Sequence, residues 1–120
     1  MANILIVDDS ASMRNMVSAT LQSSGHQVVD ADNGQNALTK AKGGSYDAVI
    51  TDLNMPVMNG IDLIKNLRTL PNYKYTPMLL LTTESSAEKK AEGKQAGATG
   101  WLVKPFNPEK LLATVDRVLG

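Results

Sequence analysis

Ile4-Leu5-Ile6-Val7-Asp8-Asp9 decides how the rest of the chain is read: four consecutive apolar residues, three of them β-branched, stop abruptly at two carboxylates. A run apolar at every position suits a strand buried on both faces, whereas a half-buried strand alternates. Similar runs recur at Ala48-Val49-Ile50, Met78-Leu79-Leu80-Leu81 and Trp101-Leu102-Val103, with a weaker one at Val28-Val29. Five strands are therefore expected, the second with the least signal.

Between the runs the period becomes helical. Met13, Met16, Val17 and Leu21 fall at i, i+3, i+4 and i+8, on a helix that Gly25 would end. Ala37, Leu38 and Ala41 form a weaker stripe before Gly43-Gly44, and Leu63, Leu67 and Leu70 a stronger one before Pro71. Ser85 with Glu88 suggests a capping box for a fourth helix. Asn107-Pro108 offers an N-cap and a first-turn proline for the fifth, whose apolar face is Leu111, Val115 and Val118. Strand and helix alternating to the end predict a parallel sheet covered on both sides, an open doubly wound α/β domain spanning residues 1–120.

Composition narrows the function. Twelve basic and twelve acidic residues among 120 leave no basic footprint for nucleic acid. No cysteine is present and His26 is the only histidine, which excludes thiolate chemistry and argues against histidine-rich metal sites and a Ser-His-Asp triad. No apolar run approaches the ~18 residues of a membrane span, and no signal segment opens the chain, so a cytoplasmic protein is expected.

Open α/β sheets bind ligands at the carboxyl ends of their strands. There the chain places Asp8-Asp9, Thr51-Asp52-Leu53-Asn54, Thr82-Thr83-Glu84 and Lys104-Pro105. Each alone has a plainer reading: a turn, an N-cap, a solvated lysine. Together they bring three carboxylates (Asp8, Asp9, Asp52), a hydroxyl pair and an ammonium to one crevice. Three carboxylates against one ammonium leave two negative charges uncompensated, which a hard divalent cation such as Mg2+ would balance. Asp8, Asp9 and Asp52 are the candidate metal ligands, with a backbone carbonyl at Asn54. A lysine and a hydroxyl beside a metal suit a phosphoryl group, and a carboxylate there can become an aspartyl phosphate. Asp52, alone at the end of a central strand, is the candidate nucleophile.

The motifs Val7-Asp8-Asp9-Ser10, Asp52-Leu53-Asn54-Met55-Pro56, Asn59-Gly60, Leu81-Thr82-Thr83-Glu84, Gln95-Ala96-Gly97-Ala98 and Lys104-Pro105-Phe106 resemble the receiver domains of bacterial two-component response regulators. The single-domain, CheY-like chemotaxis type is most similar, and the resemblance covers essentially the whole chain. It implies the flavodoxin-like strand order 2-1-3-4-5 with five helices. It implies that Asp52 accepts a phosphoryl group from a phosphohistidine on a sensor histidine kinase. Asp9, Asp52 and the Asn54 carbonyl would hold Mg2+, and Asp8 would assist through water. Lys104 would contact the phosphoryl oxygens, Thr82 would swing toward them and Trp101 would turn inward, with Lys104-Pro105 cis. Asn54 and Glu84 would tune the lifetime of the phosphorylated state. The resemblance further implies a monomeric switch rather than an enzyme, signalling through the fourth helix, fifth strand and fifth helix because no effector domain comes after them.

Two departures stand out. Trp101 occupies a position where the chemotaxis type usually has tyrosine. Lys90 and Lys94 occupy the fourth helix where motor-binding members carry apolar residues, which speaks against a flagellar-motor partner, unless they are simply a solvated face. Only Ala87, Ala91 and Ala96 are apolar between Glu84 and Gly97, and Gly93 lowers propensity by ~1 kcal/mol, so this helix is predicted to be the mobile part of the output face.

Two other classes compete with the switch. A phosphatase with an aspartyl-phosphate intermediate typically has a general-acid aspartate two residues after the nucleophile, where this chain has Asn54. A flavin carrier on the same sheet would need a glycine- and hydroxyl-rich phosphate loop where Asp8-Asp9 stand.

Overall fold

The computed structural model describes residues 2–120. The five apolar runs become β1 (Asn3–Val7), β2 (Gln27–Ala31), β3 (Ala48–Thr51), β4 (Met78–Thr82) and β5 (Gly100–Val103). All pair in parallel, in the order β2-β1-β3-β4-β5 that the resemblance implies. The runs that were apolar throughout lie in the middle: every residue of β3 and β4, and all of β1 after Asn3, is buried. The Val28-Val29 signal was weak because β2 is an edge strand, exposed over much of its length.

The connecting helices are α1 (Ala11–Ser23), α2 (Gly34–Gly43), α3 (Gly60–Arg68), α4 (Ala87–Ala96) and α5 (Pro108–Leu119), with a 3-10 turn at Pro71–Tyr73. Alternate strand residues feed two cores. Ile4, Ile6, Ile50, Leu79 and Leu81 pack under α1 and α5, against Val17, Leu21, Leu111 and Val115. Leu5, Val7, Val49 and Leu80 pack on the other side with Leu38, Leu63, Ile64, Leu67 and Tyr73. Each α-helix opens on a serine or asparagine whose side chain accepts a first-turn N–H: Ser10, Asn33, Asn59, Ser86 and Asn107. Such caps contribute ~1 kcal/mol each. In a parallel sheet they all fall on the carboxyl edge of the strands, so the positive ends of the helix dipoles face the edge that carries the acids.

Three local expectations need correction. Met16 is 51% exposed, because it lies about 100° around α1 from Val17, the centre of the buried stripe, where nothing covers it. The Ser85/Glu88 capping box does not form: α4 starts one residue later, Ser86 caps the N–H of Lys89, and a lysine stands where the box needs a glutamate. Leu70 is not part of α3, which ends at Arg68, and it packs only partly against the core just before the 3-10 turn. In α4, Ala87 and Ala91 face solvent, and Gly93 and Ala96 are the buried residues.

Candidate functional site

Asp8 follows β1 directly and is buried, held by its own hydrogen bonds: its N–H donates to Ala31 O (3.1 Å), and its Oδ1 accepts from Ser10 N–H (2.9 Å). Asp52 follows β3, equally buried, with Oδ1 accepting from Leu53 N–H at 2.8 Å. Asp9, next along the chain from Asp8, is exposed to solvent. One oxygen from each of the three carboxylates lies within 4.8 Å of the others. The sequence-predicted trio is thus brought together.

Lys104 reaches in from the end of β5, across β4 and β3. Its Nζ lies 2.8 Å from Asp8 Oδ2 and 3.3 Å from Asp52 Oδ2. Burial alone works to lower its pKa, but the bonds to Asp8 and Asp52 outweigh that and shift it upward, so the ammonium stays charged. Burial pushes the Asp52 carboxyl up, Lys104 pulls it down, and Asp8 pushes it up again; the balance is upward. Asp52 is therefore a carboxylate held in place under electrostatic tension that more positive charge would relieve. The donor set is hard oxygen only and its charge excess is two, which fits a single Mg2+ with retained waters.

Thr82 is the last residue of β4, fully buried, and its Oγ1 accepts the N–H of Glu84 at 3.2 Å. Accepting that bond leaves its own O–H proton for another acceptor. The carbonyl of the same Glu84 accepts Trp101 Nε1–H at 2.9 Å. The half-buried indole lies over Gly93, where an added Cβ would stand 3.0 Å from Cζ3 of the ring. Asn54 is exposed at the mouth, and the Glu84 carboxylate lies outside the acidic trio. The Lys104–Pro105 bond is cis.

Sequence reasoning missed three supports. Arg14 on α1 donates Nη1–H to Asp8 O at 2.7 Å and pairs with Asp30 at 3.1 Å, fixing the β1–α1 turn. Gly60 opens α3 so close under Asp52 that a Cβ would sit 2.1 Å from Asp52 O. Arg68 donates Nε–H and Nη2–H to Gly97 O (3.2 and 2.7 Å) and Nη1–H to Tyr73 O (2.8 Å), pinning the C-terminal end of α4. Asn59-Gly60 stood out in the sequence only as a family motif, and nothing local signals the arginines.

Among the described residues no helix is long and apolar enough to cross a membrane. Residues 4–116 match the response regulator receiver domain family. The chain is 43% identical over 116 residues to chemotaxis protein CheY-3 of Vibrio cholerae, covering 96% of this chain and 89% of that protein. Among solved structures it is similar to the Vibrio cholerae chemotaxis protein CheY4, with 58% identity, 98% of both chains covered and a TM-score of 0.95. It is also similar to the receiver domain of a Pseudomonas aeruginosa sensor histidine kinase, described with a magnesium ion coordinated in the active-site cleft, at 28% identity and a TM-score of 0.92 over 99% of this chain and 98% of that one.

Proposed function

The chain belongs to the response regulator receiver domain family, among the CheY-type chemotaxis regulators, and from that premise we propose that it is a phosphorylation-activated signalling switch whose phosphoacceptor is Asp52. The observation that carries this reading is the Lys104 ammonium set between Asp8 and Asp52, with a third carboxylate beside them. Asp8, Asp9, Asp52 and the Asn54 carbonyl would hold Mg2+, as a magnesium ion is held in the cleft of the Pseudomonas aeruginosa domain. When bound, the ion supplies the positive charge that the trio lacks and that an incoming phosphoryl group needs.

An oxygen of Asp52 bonds to phosphorus as the phosphorus–nitrogen bond of the kinase's phosphohistidine breaks, and the imidazole nitrogen keeps the electron pair. Lys104 turns from the carboxylates to the phosphoryl oxygens, and the free O–H of Thr82 donates to one of them. Both backbone groups of Glu84 are then affected: its N–H bonds the switch hydroxyl, and its carbonyl bonds the indole of Trp101. This short path leads from the phosphoryl site to the face formed by α4, β5 and α5, where a protein target reads the state. Asn54 and Glu84 flank the mouth and tune the lifetime of the acyl phosphate. The protein acts as a cytoplasmic monomer that accepts and loses one phosphoryl group without turning over a separate substrate.

Trp101 is the only tryptophan and reports on the site directly. Mg2+ changes its fluorescence, and beryllofluoride added with Mg2+ changes it further. Asp52→Asn abolishes the second change. An equal response in parent and variant, or none in the parent, overturns the reading. Sustained turnover of a small phosphate ester would make the protein a hydrolase instead.

A further inference from the structure

Val57 stands at the tip of the loop that leaves the nucleophile. Gly60 N–H donates to Leu53 O at 2.8 Å and closes the loop at its base, directly beneath Asp52. Both flanks are clamped: Met55 is buried, and the start of α2 packs so tightly on Met58 that a Cβ at Gly34 would meet Met58 O at 2.6 Å. Between the clamps the chain turns on three residues, with Met58 N–H bonded to Pro56 O at 2.8 Å and Val57 at φ +73. Among the described residues it is the single non-glycine with positive φ.

A β-branched side chain is the least suited to this conformation, which glycine or asparagine adopts with far less strain. Nor does the fold use the side chain, which is 82% exposed. The loop thus holds an apolar group in solvent, at a backbone position that opposes it. Strain of this kind clusters where a surface meets a ligand.

Position identifies the ligand. Five residues of chain span at most about 18 Å fully extended, and this loop is folded back on itself, so Val57 lies well inside that distance from Asp52. A partner protein covering about 800 Å2 around the nucleophile reaches about 16 Å from its centre. A domain that presents a phosphohistidine in line with Asp52 thus has the loop tip within its reach, whereas a small phosphodonor does not extend that far. We propose that Val57, projected by the strained turn, is an apolar contact for the phosphohistidine-bearing domain of the kinase and helps determine which kinase is accepted. The proposal rests on the switch reading above and adds the partner's footprint to it.

Two kinds of donor separate the possibilities: phosphoramidate, which has the phosphorus–nitrogen bond without a protein, and a set of autophosphorylated histidine-kinase phosphodonor domains, the fastest of which on the parent is then used on the variants. Val57→Asn removes the apolar group and keeps the turn; Val57→Ile keeps the group. Val57→Asn is expected to lower kcat/KM with the phosphodonor domain about tenfold, mainly through KM, and to leave the phosphoramidate rate within about twofold. Val57→Ile is expected to behave as the parent. Parental transfer to Val57→Asn overturns the proposal, and so does equal slowing with both donors, which would assign the effect to loop geometry. A parent phosphorylated by phosphoramidate but by no kinase domain also overturns it, leaving the switch reading intact. A parent phosphorylated by neither donor overturns the switch reading itself.

Discussion

Replacing Gly93 by alanine sets two effects of similar size against each other. Alanine favours the helical backbone of α4 by ~1 kcal/mol. Its Cβ, however, would stand 2.9 Å from Leu80 Cδ1 and 3.0 Å from Trp101 Cζ3. Leu80 is fully buried and has nowhere to go, so the half-buried indole yields. Swinging it outward breaks the Nε1–H bond to Glu84 O, worth about 0.5–1.5 kcal/mol. It also exposes roughly 50 Å2 of ring, another ~1.2 kcal/mol at about 25 cal/mol/Å2. With residual crowding against Leu80, the net effect is a loss of about 1–2 kcal/mol, opposite in sign to the propensity change. Urea unfolding followed by circular dichroism would show the midpoint falling by about 0.5–1 M. The emission of the folded variant shifts to the red, because the indole has become wet. A variant more stable than the parent by ~1 kcal/mol, with unchanged emission, would refute the seating of Trp101 on α4.

Three further outcomes rest on the contacts above. Lys104→Ala leaves Asp8 and Asp52 buried without a counter-charge and lowers stability by about 2–3 kcal/mol in EDTA; millimolar Mg2+ restores most of it, as thermal unfolding with and without the ion will show. Tyr73→Phe removes the hydroxyl that donates to Ala41 O (2.7 Å) and Gly44 O (3.0 Å), costing about 1–2 kcal/mol by denaturant titration while Mg2+ affinity stays unchanged. Arg68→Met releases Gly97, so amide exchange accelerates over the C-terminal half of α4 and leaves β1, β3 and β4 as slow as before; uniform acceleration would mean that the arginine holds the whole core.

The sheet was legible because its middle strands are buried on both faces, a condition that one-dimensional pattern reports directly. The acids were legible for a related reason: parallel topology puts every strand's carboxyl end on one edge, so the residues just after each apolar run are the residues of the crevice. Asn107 and Pro108 announced α5 through chemistry contained in two residues. Where two local signals competed, pattern was not enough. Ser85 and Ser86 are equally good caps by type, and Lys89 rather than Glu88 turned out to occupy the third helical position. Met16 fell on the right period but off the covered arc, since coverage depends on where other helices lie. Arg14, Arg68 and Tyr73 act across gaps of 5 to 32 residues through backbone carbonyls, groups that every residue possesses and no sequence marks.

The bond between Lys104 and Asp8 joins residues 96 positions apart, from the first strand to the last. During synthesis the three aspartates emerge first, and the ammonium that disciplines them only after all five strands have been made. A fragment left by a stalled ribosome or a protease cut before β5 would carry the acids without their counter-charge and without the strand that presents it. On the switch reading proposed above, such a fragment would lack the lysine that is to meet the phosphoryl oxygens, and would compete poorly with finished molecules for them. Placing the two halves of the charge pair on the first and last strands makes completion of the sheet a condition for neutralising the site, and, if Asp52 is the phosphoacceptor, for receiving the signal.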